Sequence, residues 1–151
     1  MKYLRVFVFI TFFTASCSAA FAADGLVEVK SPYSVKETMS RLDQIVQERG
    51  LNIFARIDHA AGAANVGKSL RPTELLVFGN PQGGTPLMQC AQTTGIDLPL
   101  KALVWEDADQ QVWLGYNDPA YIADRHGVTD CPVVEKLRKA MAGIAEAAVS
   151  R

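Results

Sequence analysis

RPTELLVFGNPQGGTPLMQC (residues 71–90) and DLPLKALVWEDADQQVWLGYNDP (residues 97–119) together decide the fold of this chain. Glu74 to Phe78 is apolar enough to form a central strand. Leu98 to Glu106 and Val112 to Asn117 predict two more strands joined by a tight hairpin. Between the first of these strands and the hairpin, the sequence predicts a loop over residues 79–84, followed by a short helix that ends near Gly95. Thr85 suits the N-cap of that helix, and Pro86 suits its first position.

The flanking segments supply the remaining elements. A short strand opens the mature chain at Leu26, and apolar residues at helical spacing follow the capping box that begins at Ser34. Alternation predicts a strand from Leu51 to His59, in which His59 would be a core histidine. The rest is predicted as a loop with one helical turn (60–69), a short helix (119–126) and a last helix after Asp130. We therefore expect an α+β two-layer sandwich, with one mixed or antiparallel sheet of about five strands covered by helices on one face.

The strand at 98–106 raises a question about the second face of that sheet. Its side chains are apolar in both directions, with Leu100 and Val104 on one side and Leu103 and Trp105 on the other. A second apolar face needs a cover. Either a homodimer interface or the 60–69 loop would provide one, and the sequence leaves both open.

The N-terminus has the pattern of a secretory signal peptide. Lys2 and Arg5 precede an apolar run too short to span a bilayer comfortably, and Ala20-Phe21-Ala22 is a small-x-small cleavage site. The prediction is a cleaved segment 1–22 and one domain over 23–151, periplasmic or secreted, with no membrane attachment after cleavage. The alternative is a lipoprotein attached through Cys17, although Thr14 stands where a Leu-like residue would be needed.

Charge bounds the choice of partner. The chain has 15 basic and 16 acidic residues, and without Lys2 and Arg5 the net charge is −3. Phosphate binding needs clustered Lys and Arg, so nucleic acid is not an expected partner.

Two cysteines, Cys90 and Cys131, remain after processing. An even pair in an exported protein is compatible with one disulfide. Two small buried thiols are the alternative, and sequence does not give the Cα separation that would decide. No CxxC, HxxxH or HExxH spacing occurs, so neither a metal nor another cofactor is predicted.

The glycine loop is the best local candidate for chemistry. Free N–H groups at a helix start can bind an anion, and glycines let the ligand approach. Lys101 is the first choice of counter-charge and Arg71 the second. The hypothesis is a non-catalytic binding or accessory domain for a small anionic or polar ligand, the simpler alternative being an ordinary helix cap. The full set of candidate residues is His59, Arg71, Asn80, Gly84, Thr85, Lys101, Glu106 and Asn117.

Two other classes of function stay open. One is a hydrolytic or redox enzyme in which His59, Lys101 and Glu106 converge, although there is no GxSxG nucleophile motif. The other is a purely structural homodimer. His126, at a predicted helix end, fits the helix dipole and needs no functional role.

Seven short blocks in order carry a resemblance to a known family. They are Ile57-Asp58-His59, Leu70-Arg71-Pro72-Thr73, Phe78-Gly79-Asn80-Pro81, Gly84-Thr85-Pro86-Leu87-Met88, Leu98-Pro99-Leu100-Lys101, Val104-Trp105-Glu106-Asp107 and Tyr116-Asn117-Asp118-Pro119. Together they resemble the bacterial and archaeal family called domain of unknown function 302, over nearly all of the mature chain. The resemblance implies a compact two-layer α+β domain, often exported, and no established reaction. Gln110 departs from the pattern, which usually has Gly in that turn. If Asp107 pairs with Gln111, the hairpin loop has three residues, Trp105 faces Trp113 across the strands, and Gln110 takes a left-handed position that favours Gly.

Overall fold

The computed structural model describes residues 23–151, so the predicted signal segment lies outside the described residues. These residues form five strands and five α-helices, with a 3-10 segment at Gln92–Ile96. The strands are β1 (Leu26–Ser31), β2 (Asn52–Asp58), β3 (Thr73–Gly79), β4 (Leu100–Glu106) and β5 (Val112–Asn117). The helices are α1 (Val35–Glu48), α2 (His59–Asn65), α3 (Pro81–Cys90), α4 (Pro119–Arg125) and α5 (Val134–Val149).

The strands form one antiparallel sheet in the order β1-β5-β4-β3-β2. Helices α1 and α5 pack against each other and against one face of this sheet. The predicted α+β sandwich, with about five strands and helices on one face, is confirmed. No helix within residues 23–151 is long and apolar enough to cross a membrane.

Helix α1 shows how the sequence builds the covered face. The Ser34 hydroxyl accepts a hydrogen bond from the Glu37 N–H at 3.2 Å, which caps the helix as predicted. The apolar residues at helical spacing are then buried against the sheet. From the sheet side, Leu76, Phe78, Val104 and Leu114 meet them, each with no exposed surface. The main core therefore lies between α1, α5 and the three central strands.

The β4–β5 hairpin closes as its sequence predicts. The Asp107 N–H donates to the Gln111 carbonyl at 2.9 Å, and Trp105 pairs with Trp113 across the strands. Gln110 has φ of 62°, the left-handed conformation that favours glycine. The Trp113 indole N–H donates to an Asp107 carboxylate oxygen at 2.7 Å, and this bond is the main cause that lowers the pKa of Asp107.

The start of α3 corrects the prediction that placed the N-cap at Thr85. Asn80 is the cap, and its side-chain oxygen accepts from the Gly83 N–H at 2.9 Å. Pro81 is the first helical residue, while Pro86 lies inside the helix. Asn80-Pro81 and Thr85-Pro86 are both cap-proline pairs, and the chain uses the earlier one directly after β3. The two glycines are thus helical residues and not an open loop.

The end of β2 corrects a second expectation. The strand stops at Asp58, whose carboxylate caps α2 by accepting from the Ala61 N–H at 2.8 Å. His59 is the first residue of α2 and is exposed, so the interpretation of His59 as a core histidine was wrong. The capping carboxylate turns the chain where alternation alone would have continued it.

Cys90, the last residue of α3, lies at disulfide distance from Cys131, just before α5. Their Cα atoms are 6.1 Å apart. The bond joins the end of α3 to the segment that leads into α5.

Candidate functional site

A cavity lies between α3, α5 and the first residues of β4. Its volume is about 480 Å³, which falls within the range of about 300–1,000 Å³ typical of small-molecule sites. Helix α3 and the Leu98-Pro99 turn form one wall, and the apolar side of α5 forms the other. The lining from the sheet and α5 comprises Leu51, Phe54, Phe78, Leu100, Leu137, Ala140, Met141 and Ile144.

The chemistry of this cavity is apolar. No lining residue carries a charge, and the polar side chains are those of Asn80 and Thr85. Phe54 remains 56% exposed and Phe78 is fully buried, so the lining runs from the surface into the main core. Leu137, Met141 and Ile144 of α5 belong to the buried core and also form a wall of this cavity. Their helical spacing predicts the first role and does not reveal the second.

Three of the eight predicted site residues, Asn80, Gly84 and Thr85, belong to this cavity. They are there for a reason other than the one predicted. The Asn80 oxygen caps α3, and a Cβ on Gly84 would come within 3.5 Å of the Leu98 side chain. The glycine-rich segment therefore gives a small-residue wall to the cavity.

Lys101, the predicted counter-charge, lies away from the cavity. It follows the lining residue Leu100 on β4, so its side chain leaves from the opposite face of the sheet. Its ammonium group donates to the backbone carbonyls of Asp97 and Pro99, at 2.9 Å each. The cation is thereby held by the turn before β4.

The other predicted residues lie outside the cavity, and of these only Arg71 and Glu106 are joined by a side-chain hydrogen bond within the described part of the chain. Glu106 ends β4, five residues from Lys101, which separates them by about 17 Å at the rise of an extended strand. Arg71 is exposed and its Nε donates to the Glu106 carbonyl at 3.1 Å. His59 lies at the start of α2, and Asn117 is exposed at the end of β5. The structure does not bring His59, Lys101 and Glu106 together.

The structure contains a polar cluster around His126 that the sequence does not predict. Both ring nitrogens of His126 form hydrogen bonds. Nδ1 lies 3.0 Å from the Thr93 hydroxyl, and Nε2 lies 2.7 Å from an Asp97 carboxylate oxygen. Arg125 pairs with the same Asp97 carboxylate at 2.9 Å. These bonds fasten the end of α4 to the 3-10 segment. No spacing signal links His126 to residues about 30 positions away, which is why only its helix-end role could be predicted.

A second, smaller cavity lies beside β5 and α5 and is lined by charged side chains. Arg138 pairs there with Asp118 and Glu135, each at 3.1 Å. Desolvation by burial raises the pKa of the Tyr116 hydroxyl, and the Asp118 carboxylate raises the pKa of Arg138. The charges satisfy one another, which is what a structural ion-pair cluster does.

Within residues 23–151 no group of three His, Cys, Asp or Glu side chains is arranged to hold a metal ion. That the whole chain binds no metal ion stays a prediction.

Fold and site together define a two-layer α+β domain with one sizeable uncharged cavity. The family model described as "Domain of unknown function DUF302" matches residues 27–144, and the chain belongs to that family. A solved relative, the uncharacterized conserved protein DUF302 from Bacillus stearothermophilus, superposes with a TM-score of 0.74. It covers 83% of this chain and 99% of its own at 17% identity, so the likeness concerns the fold.

Two curated relatives carry a channel name. "Fluoride-specific ion channel FluC 1" of Brucella suis biovar 1 (strain 1330) is 51% identical over 110 residues, which is 73% of this chain and 43% of that protein. The protein of the same name from Brucella abortus biovar 1 (strain 9-941) is 51% identical over the same length and is covered to 41%. The chain thus spans less than half the length of the curated relatives that it matches.

Proposed function

We propose that this protein is a non-catalytic binding domain for a small, uncharged and largely apolar molecule held in the cavity between α3 and α5. The observation that carries the proposal is a cavity of about 480 Å³ whose lining contains no charged residue. Ligand sites are commonly apolar clefts of this size with a few polar groups that fix orientation. Asn80 and Thr85, at the α3 wall, are the polar groups available for that purpose.

The lining supports binding over catalysis. General acid–base chemistry needs a titratable side chain within hydrogen-bond reach of the reacting group. The described lining holds no His, Cys, Asp, Glu, Lys, Arg or Tyr. The enzyme hypothesis built on His59, Lys101 and Glu106 also lacks a common cavity.

The lining equally favours an uncharged ligand over an anion. Burying an anion without a counter-charge is costly, and Lys101 is occupied by two carbonyls on the other side of the sheet. The Gly83 N–H, which would have faced an anion, already donates to Asn80. The glycine segment therefore contributes shape and not charge.

A fluorescent-probe titration tests the proposal. N-phenyl-1-naphthylamine is uncharged and gains fluorescence in apolar sites, so it should bind the wild-type protein. Ala140→Phe places a ring at the exposed cavity rim and should weaken binding about tenfold or more. Glu146→Phe is the matched control, since it adds the same ring to α5 at an exposed position outside the lining.

The control defines what would overturn the proposal. Equal probe affinity in Ala140→Phe and Glu146→Phe, with both variants folded, would place the probe elsewhere. No fluorescence gain with the wild type would remove the ligand site. If phosphate or sulfate at millimolar concentration raises the wild-type melting temperature instead, and Lys101→Ala abolishes that gain, the anion hypothesis takes its place.

We also propose that the protein is exported, in keeping with the signal pattern of residues 1–22. Disulfides persist in oxidising compartments, and the proximity of Cys90 and Cys131 supports that location. N-terminal sequencing of the processed protein should find Ala23 first. A lipid-modified Cys17 would establish the lipoprotein alternative.

A second candidate role follows from the curated relatives. Their names describe a fluoride channel, while no helix within residues 23–151 could cross a membrane. We propose that a domain of this kind can serve as an accessory part beside a membrane channel. Co-purification of the tagged full chain with a fluoride channel from the same cells would support this role. Recovery of the chain without any channel would count against it.

A further inference from the structure

The face of the sheet opposite α1 and α5, here called the open face, carries an apolar patch at its centre. Side chains alternate along each strand, so residues opposite the buried positions point to this face. Its centre consists of Leu75, Leu103, Trp105 and Trp113, all half-buried. On the outer strand β1, Glu28 and Lys30 are exposed on the same face. Helix α2 contacts β3 but buries none of its own residues.

The tryptophans of the open face are held flat by local contacts. The Trp105 ring lies over Gly115, where an added Cβ would come within 2.8 Å of it. The Trp113 indole is fixed by its hydrogen bond to Asp107, and the Lys30 ammonium lies 5.2 Å from its ring centre. A preorganised aromatic surface loses little side-chain entropy on association, and buried tryptophans dominate many interfaces.

The strand register arranges the open face in rows. Lys30, Trp113, Trp105 and Thr73 form one row across the sheet, because each is paired with the next. Glu28, Gly115, Leu103 and Leu75 form the adjacent row in the same way. A large residue in the first row thus lies beside a small or aliphatic one in the second.

We propose that a second copy of this chain covers the open face through a two-fold axis that lies between these rows, perpendicular to the strands. The axis places each row over the other row of the second copy. Lys30 then faces Glu28 of the second copy, and the reverse pair forms by symmetry. Trp105 lies over Leu103 of the second copy, and Trp113 lies over the Trp105 ring that covers Gly115 of the second copy.

Charge decides between the two ways of stacking the faces. A two-fold axis parallel to the strands would place β1 over β2 of the second copy. Glu28 would then lie over the exposed Ile57, because both belong to the row that contains Leu103 and Leu75. Burying that carboxylate against an apolar side chain without a partner is unfavourable. In the arrangement proposed, each charge meets its opposite, and Glu28 forms no ion pair within the described chain to compete.

The area is sufficient for a modest interface. Five strands about 4.8 Å apart, with about six residues at about 3.4 Å each, give a face of roughly 24 by 20 Å. Side-chain relief increases the accessible surface beyond that projection. The face therefore approaches the roughly 600 Å² per partner at which stable specific interfaces begin.

Sedimentation velocity on the purified protein over a concentration series tests the proposal. The wild type should be dimeric at micromolar concentration. Leu103→Asp should make it monomeric, and its circular dichroism and thermal unfolding establish that the variant is folded. Glu28→Lys should weaken the dimer about tenfold or more, because it opposes Lys30 of the second copy in both symmetric pairs.

The charge swap makes the test specific for the register. The double variant Glu28→Lys/Lys30→Glu should restore the wild-type dimer, since opposite charges meet again. Lys36→Glu on the exposed side of α1 is the charge-reversal control and should leave the dimer unchanged. A monomer at about 100 μM, or a dimer indifferent to Leu103→Asp, overturns the proposal. A dimer that Leu103→Asp breaks but Glu28→Lys does not weaken overturns the proposed register.

Discussion

The β4–β5 hairpin and the β3–α3 junction are two turns that follow apolar strands and behave differently. The hairpin turn (107–111) contains no glycine or proline, whereas the junction (79–86) contains three glycines and two prolines. In the hairpin, the closing bond from Asp107 to Gln111 and the left-handed Gln110 lie where the sequence places them. At the junction, the helix begins at Pro81, earlier than the Thr85-Pro86 signal indicates.

The two turns differ in whether local contacts determine their conformation. The hairpin is settled by bonds within five residues and by the pairing of the two strands on either side. The junction offers two cap-proline pairs, Asn80-Pro81 and Thr85-Pro86, and local preference does not choose between them. The choice depends on what α3 packs against, namely the Leu98-Pro99 turn and the disulfide partner before α5.

The largest expected effect concerns the disulfide that joins α3 to the segment before α5. Loss of the Cys90–Cys131 bond should lower the free energy of unfolding by about 3–4 kcal/mol, because the bond closes a loop with a sequence separation of 41. Cys90→Ser/Cys131→Ser, measured by denaturant unfolding, gives the number. Hydrogen exchange should show that α3 loses protection before the hairpin does.

Thiol chemistry provides the control for this prediction. The denatured, non-reduced protein should contain no thiol at Cys90 or Cys131. Two titratable thiols, or a double Ser variant as stable as the wild type, would mean that packing alone holds α3. The junction would then be more autonomous than the comparison with the hairpin implies.

The next effect concerns Gly115, the residue of β5 that lies under the Trp105 ring. Gly115→Ala should destabilise the protein by about 1–2 kcal/mol, because the added Cβ would come within 2.8 Å of the Trp105 ring. Gly62→Ala is the matched control. No atom lies within 4 Å of a Cβ at Gly62 in α2, so this change should stabilise by about 0.5–1 kcal/mol. Equal melting temperatures for the two variants would show that Trp105 moves aside without cost.

The junction itself is tested by a pair of alanine substitutions with opposite expected signs. Asn80→Ala removes the cap and should cost about 1 kcal/mol. Thr85→Ala should be neutral or stabilise by up to about 0.5 kcal/mol, because Thr85 is an exposed interior residue of α3 and alanine is the better helix former. Reversed signs in thermal unfolding would mean that α3 begins at Thr85 after all.

Particular residues show how far the sequence could lead. The capping box at Ser34, the pairing of Trp105 with Trp113 and the alternation along β2 were sufficient for the α+β fold, because each acts over a few residues. The cavity is different, since its walls come from α3, β4 and α5. Lys101 lies near a strand end, but its ammonium group is held by the backbone carbonyls of Asp97 and Pro99, and backbone partners leave no signal in the sequence. Side chains that converge only in the tertiary structure leave no spacing signal.

An effect about as large as the loss of the Asn80 cap, but of opposite sign, is expected in the hairpin at Gln110. A non-glycine residue with φ of 62° carries a conformational cost. Gln110→Gly should therefore stabilise by about 1 kcal/mol, which corresponds to about 4 °C in melting temperature for a domain of this size. Gln110→Ala is the control, because alanine keeps the left-handed cost while removing the long side chain. A gain in both variants would assign the effect to the side chain of Gln110. A gain in neither would show that the bonds closing the turn around Asp107 already absorb the backbone cost, and the hairpin would then owe its accuracy to those bonds alone.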